Sequence, residues 1–167
     1  MGITMTDGPK WIQSVREKIE AAHGFHELGL HHDAWEVLDD LSREDKAHPL
    51  VVLLRLDILI AQDRWDDAVA LGTGACRQWP VIDGFFFKTV TALIELHEYQ
   101  KAKDLLLAGP ESLQQKAPYW YDLACCQCKT GEVDEAKKSI VECFERSEAF
   151  RLRALYDPDL EAIWESL

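Results

Sequence analysis

No apolar run in this chain approaches the roughly 20 residues that a bilayer-spanning helix needs. The longest, from Pro49 to Ala61, is broken by Arg55 and Asp57, so no membrane partner is expected. Positive charge is also scarce. Lysine and arginine number 18 against 30 aspartate and glutamate, a formal net charge of -12. That average field repels phosphate backbones and anionic lipid, which argues against nucleic acid as a partner. The N-terminal residues carry neither the basic segment nor the apolar stretch of a secretory signal and read as a flexible head over 1–11. The five cysteines are odd in number, and three crowd into Cys125, Cys126 and Cys128. A secreted disulfide framework needs an even, spaced set, so free thiols in a reducing cytoplasm are expected. The glycine-rich phosphate loop and the Gly-x-Ser-x-Gly nucleophile turn are missing as well. Neither an enzymatic activity nor a cofactor is therefore expected.

What the chain does have is a period. Ala34, Ala68, Ala102 and Ala136 stand 34 residues apart. Leu28-Gly29 and Thr130-Gly131 precede the first and last of them, with Gln62-Asp63 and Leu96-His97 in the same register. A glycine there suits a helix C-terminus that needs a left-handed residue. Trp65, Tyr99 and Val133 lie three residues before the last three alanines, and His31 holds that place in the first repeat. Leu38, Leu106 and Ile140 lie one helical turn after an alanine, with Gly72 at the same place in the second repeat. Twelve residues upstream come Ala22, Leu56, Val90 and Ala124. The spacing predicts first helices near 12–28, 48–62, 82–96 and 117–130, and second helices near 32–43, 65–78, 99–108 and 133–146. Residues 111–116 read as the loosest connection. Asp157-Pro158 resembles a helix start, opening an apolar stripe of Leu160, Ile163, Trp164 and Leu167.

With Trp120-x-x-Leu123-Ala124 in the fourth repeat and Pro80 closing the second, the chain resembles the tetratricopeptide repeat proteins. The resemblance covers roughly 15–150. It implies an all-α fold, a right-handed superhelical stack of antiparallel helix pairs. The domain would run over 12–167, with repeats at about 15–48, 49–82, 83–116 and 117–150 and a capping helix over 151–167. Gln127 departs from the family pattern, where tyrosine is usual, and Gly72 and Gly109 replace bulkier or alanine positions. Those departures bear on local packing.

The resemblance also implies a binding face. First helices of such pairs line the concave side, which places Ile19, His23 and His26, then Leu53, Asp57 and Ile60, then Phe87, Thr91 and Ile94, then Tyr121, Cys125 and Cys128 along a groove. This is an apolar lining in which only Asp57 is fully charged. The implied function is a scaffold that binds a segment of another protein there. Two other readings stand beside it: a specialised chaperone of the secretion type, holding an apolar client segment, and a structural subunit that self-associates into a homo-oligomer. The tight superhelix, or the chain's own N-terminal segment, could also fill the groove. The family's carboxylate clamp is not matched, since Ile19, His23 and Leu54 replace its polar residues and Lys88 alone survives.

Other constellations read as structure. Cys125 and Cys128 share a helical face while Cys126 diverges, and a zinc site needs four ligands, so no metal is expected. His23 and His26 share a face, and His31 and His32 read as solvated turn residues. Asp39-Asp40 and Asp66-Asp67 diverge by about 100° on a helix. Trp35, Trp65, Trp79, Trp120 and Trp164 read as core, and Trp11 as partly exposed.

Overall fold

The computed structural model describes residues 10–167, with side chains from residue 15 onward apart from residue 166. It is all-helical: no strand occurs among the described residues. The α-helices are α1 (Lys10–Glu27), α2 (His31–Asp39), α3 (Arg43–Lys46), α4 (Pro49–Ala61), α5 (Trp65–Gln78), α6 (Asp83–Glu95), α7 (Tyr99–Ala108), α8 (Ala117–Lys129), α9 (Val133–Arg146) and α10 (Phe150–Ala154). Two 3-10 helices, Glu111–Gln115 and Pro158–Ser166, complete the order. The side chain of Trp11 and most of the expected head lie outside the described residues.

The 34-residue period is written in the backbone. Four residues have positive φ at that spacing: Gly29 at 75°, Asp63 at 55°, His97 at 59° and Gly131 at 86°. Each follows a first helix and donates its N–H to the carbonyl three residues back, at 2.8 to 3.2 Å. The next residue, Leu30, Arg64, Glu98 or Glu132, has φ between −84° and −91° and ψ between 50° and 63°. Its carbonyl accepts from the N–H of the repeat alanine at 2.9 to 3.0 Å. Left-handed geometry explains glycine at two of these junctions. Asp and His are among the few other residue types that tolerate it.

All four repeat alanines are 0% exposed, as are Ala22, Leu56, Val90 and Ala124 twelve residues upstream. Fully buried positions between packed helices hold side chains whose volume matches the space available. The departures at Gly72 and Gln127 have local compensations. A Cβ on Gly72 would run into the Thr89 hydroxyl of α6, which is buried and donates to the Phe85 carbonyl at 2.6 Å. Gln127 is buried and accepts from Ser139 Oγ at 2.7 Å.

The chain divides into two compact units, one ending at Asp63 and the other spanning Arg64–Leu167, where the sequence reading has one domain over 12–167. In the first unit, Ala22, Ala34, Leu38, Val51, Leu54 and Ile58 make a core shared by α1, α2 and α4. In the second, α8 and α9 pair, and the 3-10 helix Pro158–Ser166 packs on both, with Leu160 and Ile163 buried beside Tyr121, Ala124 and Ala136. Asp157 caps that helix, accepting the N–H of Asp159 at 3.0 Å, with Pro158 at its first turn.

Three expectations are corrected. Residues 111–116 are not a loose joint. Leu113 is fully buried, Trp120 Nε1 and Arg146 Nε both donate to the Gln114 carbonyl, and Ser112 donates to Asp83. The tryptophans are not fully buried, although Trp35 and Trp120 pack against the cores of their units. Trp35, Trp65, Trp79 and Trp120 are half-buried and Trp164 is 38% exposed. An indole is large, and its N–H needs a partner, as Trp164 finds in the Ala154 carbonyl. His31 is half-buried rather than solvated, with its Nδ1 at 3.2 Å from His26 Nδ1.

Candidate functional site

The twelve positions implied by the resemblance fall on four helices, three on each. In the first unit, α1 carries Ile19, His23 and His26, and α4 carries Leu53, Asp57 and Ile60. Ile19 is half-buried and lines a cavity with Val15 and Leu50, rimmed by Arg16, Glu20, Asp45 and His48. His23 is exposed, with Nδ1 at 3.5 Å from Glu27. Leu53, Asp57 and Ile60 are each half-buried, on one stripe of a helix whose other positions are mostly core.

In the second unit, α6 carries Phe87, Thr91 and Ile94, and α8 carries Tyr121, Cys125 and Cys128. Phe87 and Ile94 are half-buried and Thr91 is exposed. Thr91 Oγ1 donates to the Phe87 carbonyl at 3.0 Å, and Lys116 Nζ stands 5.9 Å from the Phe87 ring centre. The three α8 positions are different. Tyr121, Cys125 and Cys128 are buried, Tyr121 to 1% exposure, so an open apolar lining in the fourth repeat is corrected. The reason is the chain's own tail. Tyr121 Oη donates to Asp157 at 2.7 Å, Phe150 packs on the Tyr121 ring at 5.1 Å between centres, and Arg153 stands 4.6 Å from it.

The tail nevertheless leaves space. A cavity of about 300 Å³ lies among the end of α6, the start of α7, α8 and the tail. Ile94, Tyr121 and Cys125 line it together, so the structure joins three of the expected positions here. The remaining wall was missed by the sequence reading: Glu95, His97, Tyr99, Asp122, Arg153, Asp157 and Asp159. The pair Asp157 and Asp159 was legible as a helix start, but nothing in its spacing says that it reaches Tyr99 and Tyr121.

The hydrogen bonding of this wall is directional. Tyr99 Oη donates to Asp159 at 2.8 Å. Its single proton is thereby committed, so the 3.0 Å contact from His97 Nδ1 to Tyr99 Oη is made by a protonated Nδ1 donating. Burial, and then the Asp159 and Asp157 carboxylates, push both tyrosine hydroxyls well above the usual phenol range. They stay protonated donors. Lys129 Nζ lies 3.5 Å from Asp159. Burial pushes the Asp122 carboxyl up to about 7, opposed by Arg153 and reinforced by Asp157.

The thiols are quiet. Burial first, then the surrounding carboxylates, push Cys126 up to about 12 and Cys128 and Cys143 up to about 11, with Cys125 raised as well. A thiolate is the reactive species, so this cluster is not set up for thiol chemistry near neutral pH.

By its described residues the chain is of the all-helical class, built on a recurring 34-residue helix pair. Compared with known proteins, it matches no family model, and no curated protein matches it.

Proposed function

We propose that the chain is a tetratricopeptide-type repeat protein, of the class whose antiparallel helix pairs stack in a right-handed superhelix, and that it binds a segment of another protein along its first helices. The observation that carries this reading is the four-fold recurrence of one junction geometry at Gly29, Asp63, His97 and Gly131. Four units of one length with one turn form a repeat array, and such arrays serve through extended inner faces. The half-buried stripe of Phe87 and Ile94 with exposed Thr91 supports the face within the second unit. The -12 net charge favours a protein partner over nucleic acid or anionic lipid. Buried, unpaired thiols suit a reducing cytoplasm. No helix among the described residues is long and apolar enough to cross a membrane.

Site-specific photo-crosslinking tests the reading. A benzophenone amino acid at Phe87 or Thr91 should capture one reproducible protein band from native lysate, while the same group at Lys101 or Lys137 on second helices should not. Capture from the second-helix positions alone would move the binding surface to the opposite face and reject the inner-face scaffold.

A further inference from the structure

The tail helix α10 meets water with apolar side chains. Its last turn runs on past Ala154, since Leu155 and Tyr156 donate their N–H groups to the Arg151 and Arg153 carbonyls at 3.3 and 3.1 Å. Leu152, Leu155 and Tyr156 therefore share one helical face, at one-turn spacing. They are 67%, 49% and 78% exposed. The charges of this helix are turned onto rings of the protein: Arg151 lies 4.5 Å from the Phe144 ring centre and Arg153 lies 4.6 Å from that of Tyr121. Ala154, about 200° around the helix from Leu152 and Tyr156, is fully buried. Trp164, held by the Ala154 carbonyl, adjoins the patch. A solvated surface helix would carry polar and charged residues on its outward face.

We propose that this face receives the same face of a second copy of the chain, in a reversible two-fold dimer. An isologous contact needs a patch complementary to itself, with a projection beside a recess. Tyr156 is the projection. Next to it lies a shallow hollow of about 350 Å³ lined by Arg153, Asp157, Pro158 and Tyr156 itself. A two-fold axis between the copies places each Tyr156 ring in the other copy's hollow. Arg153 and Asp157 give that hollow one charge of each sign, so two copies meet there without local repulsion. Area sets the strength of the contact. The two leucines, Tyr156 and Trp164 leave roughly 400 Å² of apolar surface in water. A two-fold contact would bury about twice that, which falls at the small end of specific interfaces, below roughly 1,200 Å² in total. The dimer is therefore transient and not obligate. The net charge of -12 sets the copies against each other at long range, a repulsion that salt relieves. The contact uses none of the twelve inner-face positions, so it stands or falls apart from the scaffold reading.

Sedimentation velocity of the full chain over a wide concentration range tests this. A monomer–dimer equilibrium with its midpoint in the micromolar range is expected. It should tighten as salt is raised. Leu152→Asp and Tyr156→Asp should each weaken the dimer by at least about ten-fold, because a carboxylate would be buried without a partner. Both positions are exposed in the single chain, so neither variant disturbs the core, which melting curves verify. Val81→Asp, at an exposed apolar residue between α5 and α6, should leave the equilibrium unchanged. A chain that stays monomeric throughout overturns the proposal. So does a dimer that ignores both tail variants, one that loosens equally with Val81→Asp, or one that salt dissociates. A benzophenone amino acid at Leu152 addresses the other occupants. Cross-linking to a second copy supports the dimer, whereas cross-linking only to a different protein in lysate assigns the face to that partner and overturns it.

Discussion

Gly131 and Asp63 occupy the same left-handed junction with φ of 86° and 55°, and they should respond oppositely to exchange. Gly131→Ala forces a Cβ into a region that costs L-residues about 1–2 kcal/mol, although open space surrounds it. Asp63→Gly relieves the same cost, less the extra chain entropy of glycine, for a gain of up to about 0.5 kcal/mol. Urea midpoints of the two variants should therefore move in opposite directions. Asp122 is the other residue whose effect has a sign. Its folded-state pKa is raised from 3.8 to about 7. Its contribution to stability is intact below about pH 4 and is lost as pH rises toward 7, because the unfolded chain ionises first. Asp122→Asn should raise stability by about 1–3 kcal/mol at pH 8 and by little at pH 4. Melting curves at the two pH values check this.

At the level of helices, Gly72→Ala sets two effects against each other. Alanine gains about 1 kcal/mol in a helix interior. Here its Cβ meets the Thr89 hydroxyl, fully buried and held by the Phe85 carbonyl, and overpacking costs about 1–3 kcal/mol. The net effect should be a loss, largely relieved in the double variant Gly72→Ala/Thr89→Ala, as thermal melts would register. Deleting residues 157–167 should cost more. It strips Leu160 and Ile163, each worth about 1.5–3 kcal/mol of burial, and leaves Tyr99 and Tyr121 without their acceptors. A truncated chain that melts as the intact one does would show that this helix is not a cap. Seven of the eight expected helix spans were legible within two residues, because a 34-residue alanine register anchors both helices of each pair; the eighth, expected over 32–43, ends at Asp39. The exceptions have short-range causes. α3 is one turn, capped by Ser42 accepting from the Asp45 N–H, and Glu111–Gln115 owes its order to the single anchor Leu113. Half of the candidate cavity was illegible for a different reason. The contacts Tyr121–Asp157 and Tyr99–Asp159 join residues 36 and 60 apart, and neither distance is a multiple of the repeat.

For the molecule as a whole, the repeat register and the division into units do not coincide. The second unit begins at Arg64, inside the second repeat. It holds its own core, from Ala117 and Tyr121 through Ile140 to Ile163. Residues 64–167 expressed alone should give a helical circular dichroism spectrum and a cooperative melt. A fragment that is unfolded or aggregated would show that this core depends on the first 63 residues.

All five cysteines, Cys76 included, lie in that second unit, and every one is buried. The protein thus carries a built-in clock. A water-soluble aromatic disulfide reagent should find nothing to modify in the native chain, so each thiol that reacts timestamps an opening of the second unit, while the first remains spectroscopically silent. Colour released per minute then counts breathing events directly, without a label, a mutation or a denaturant.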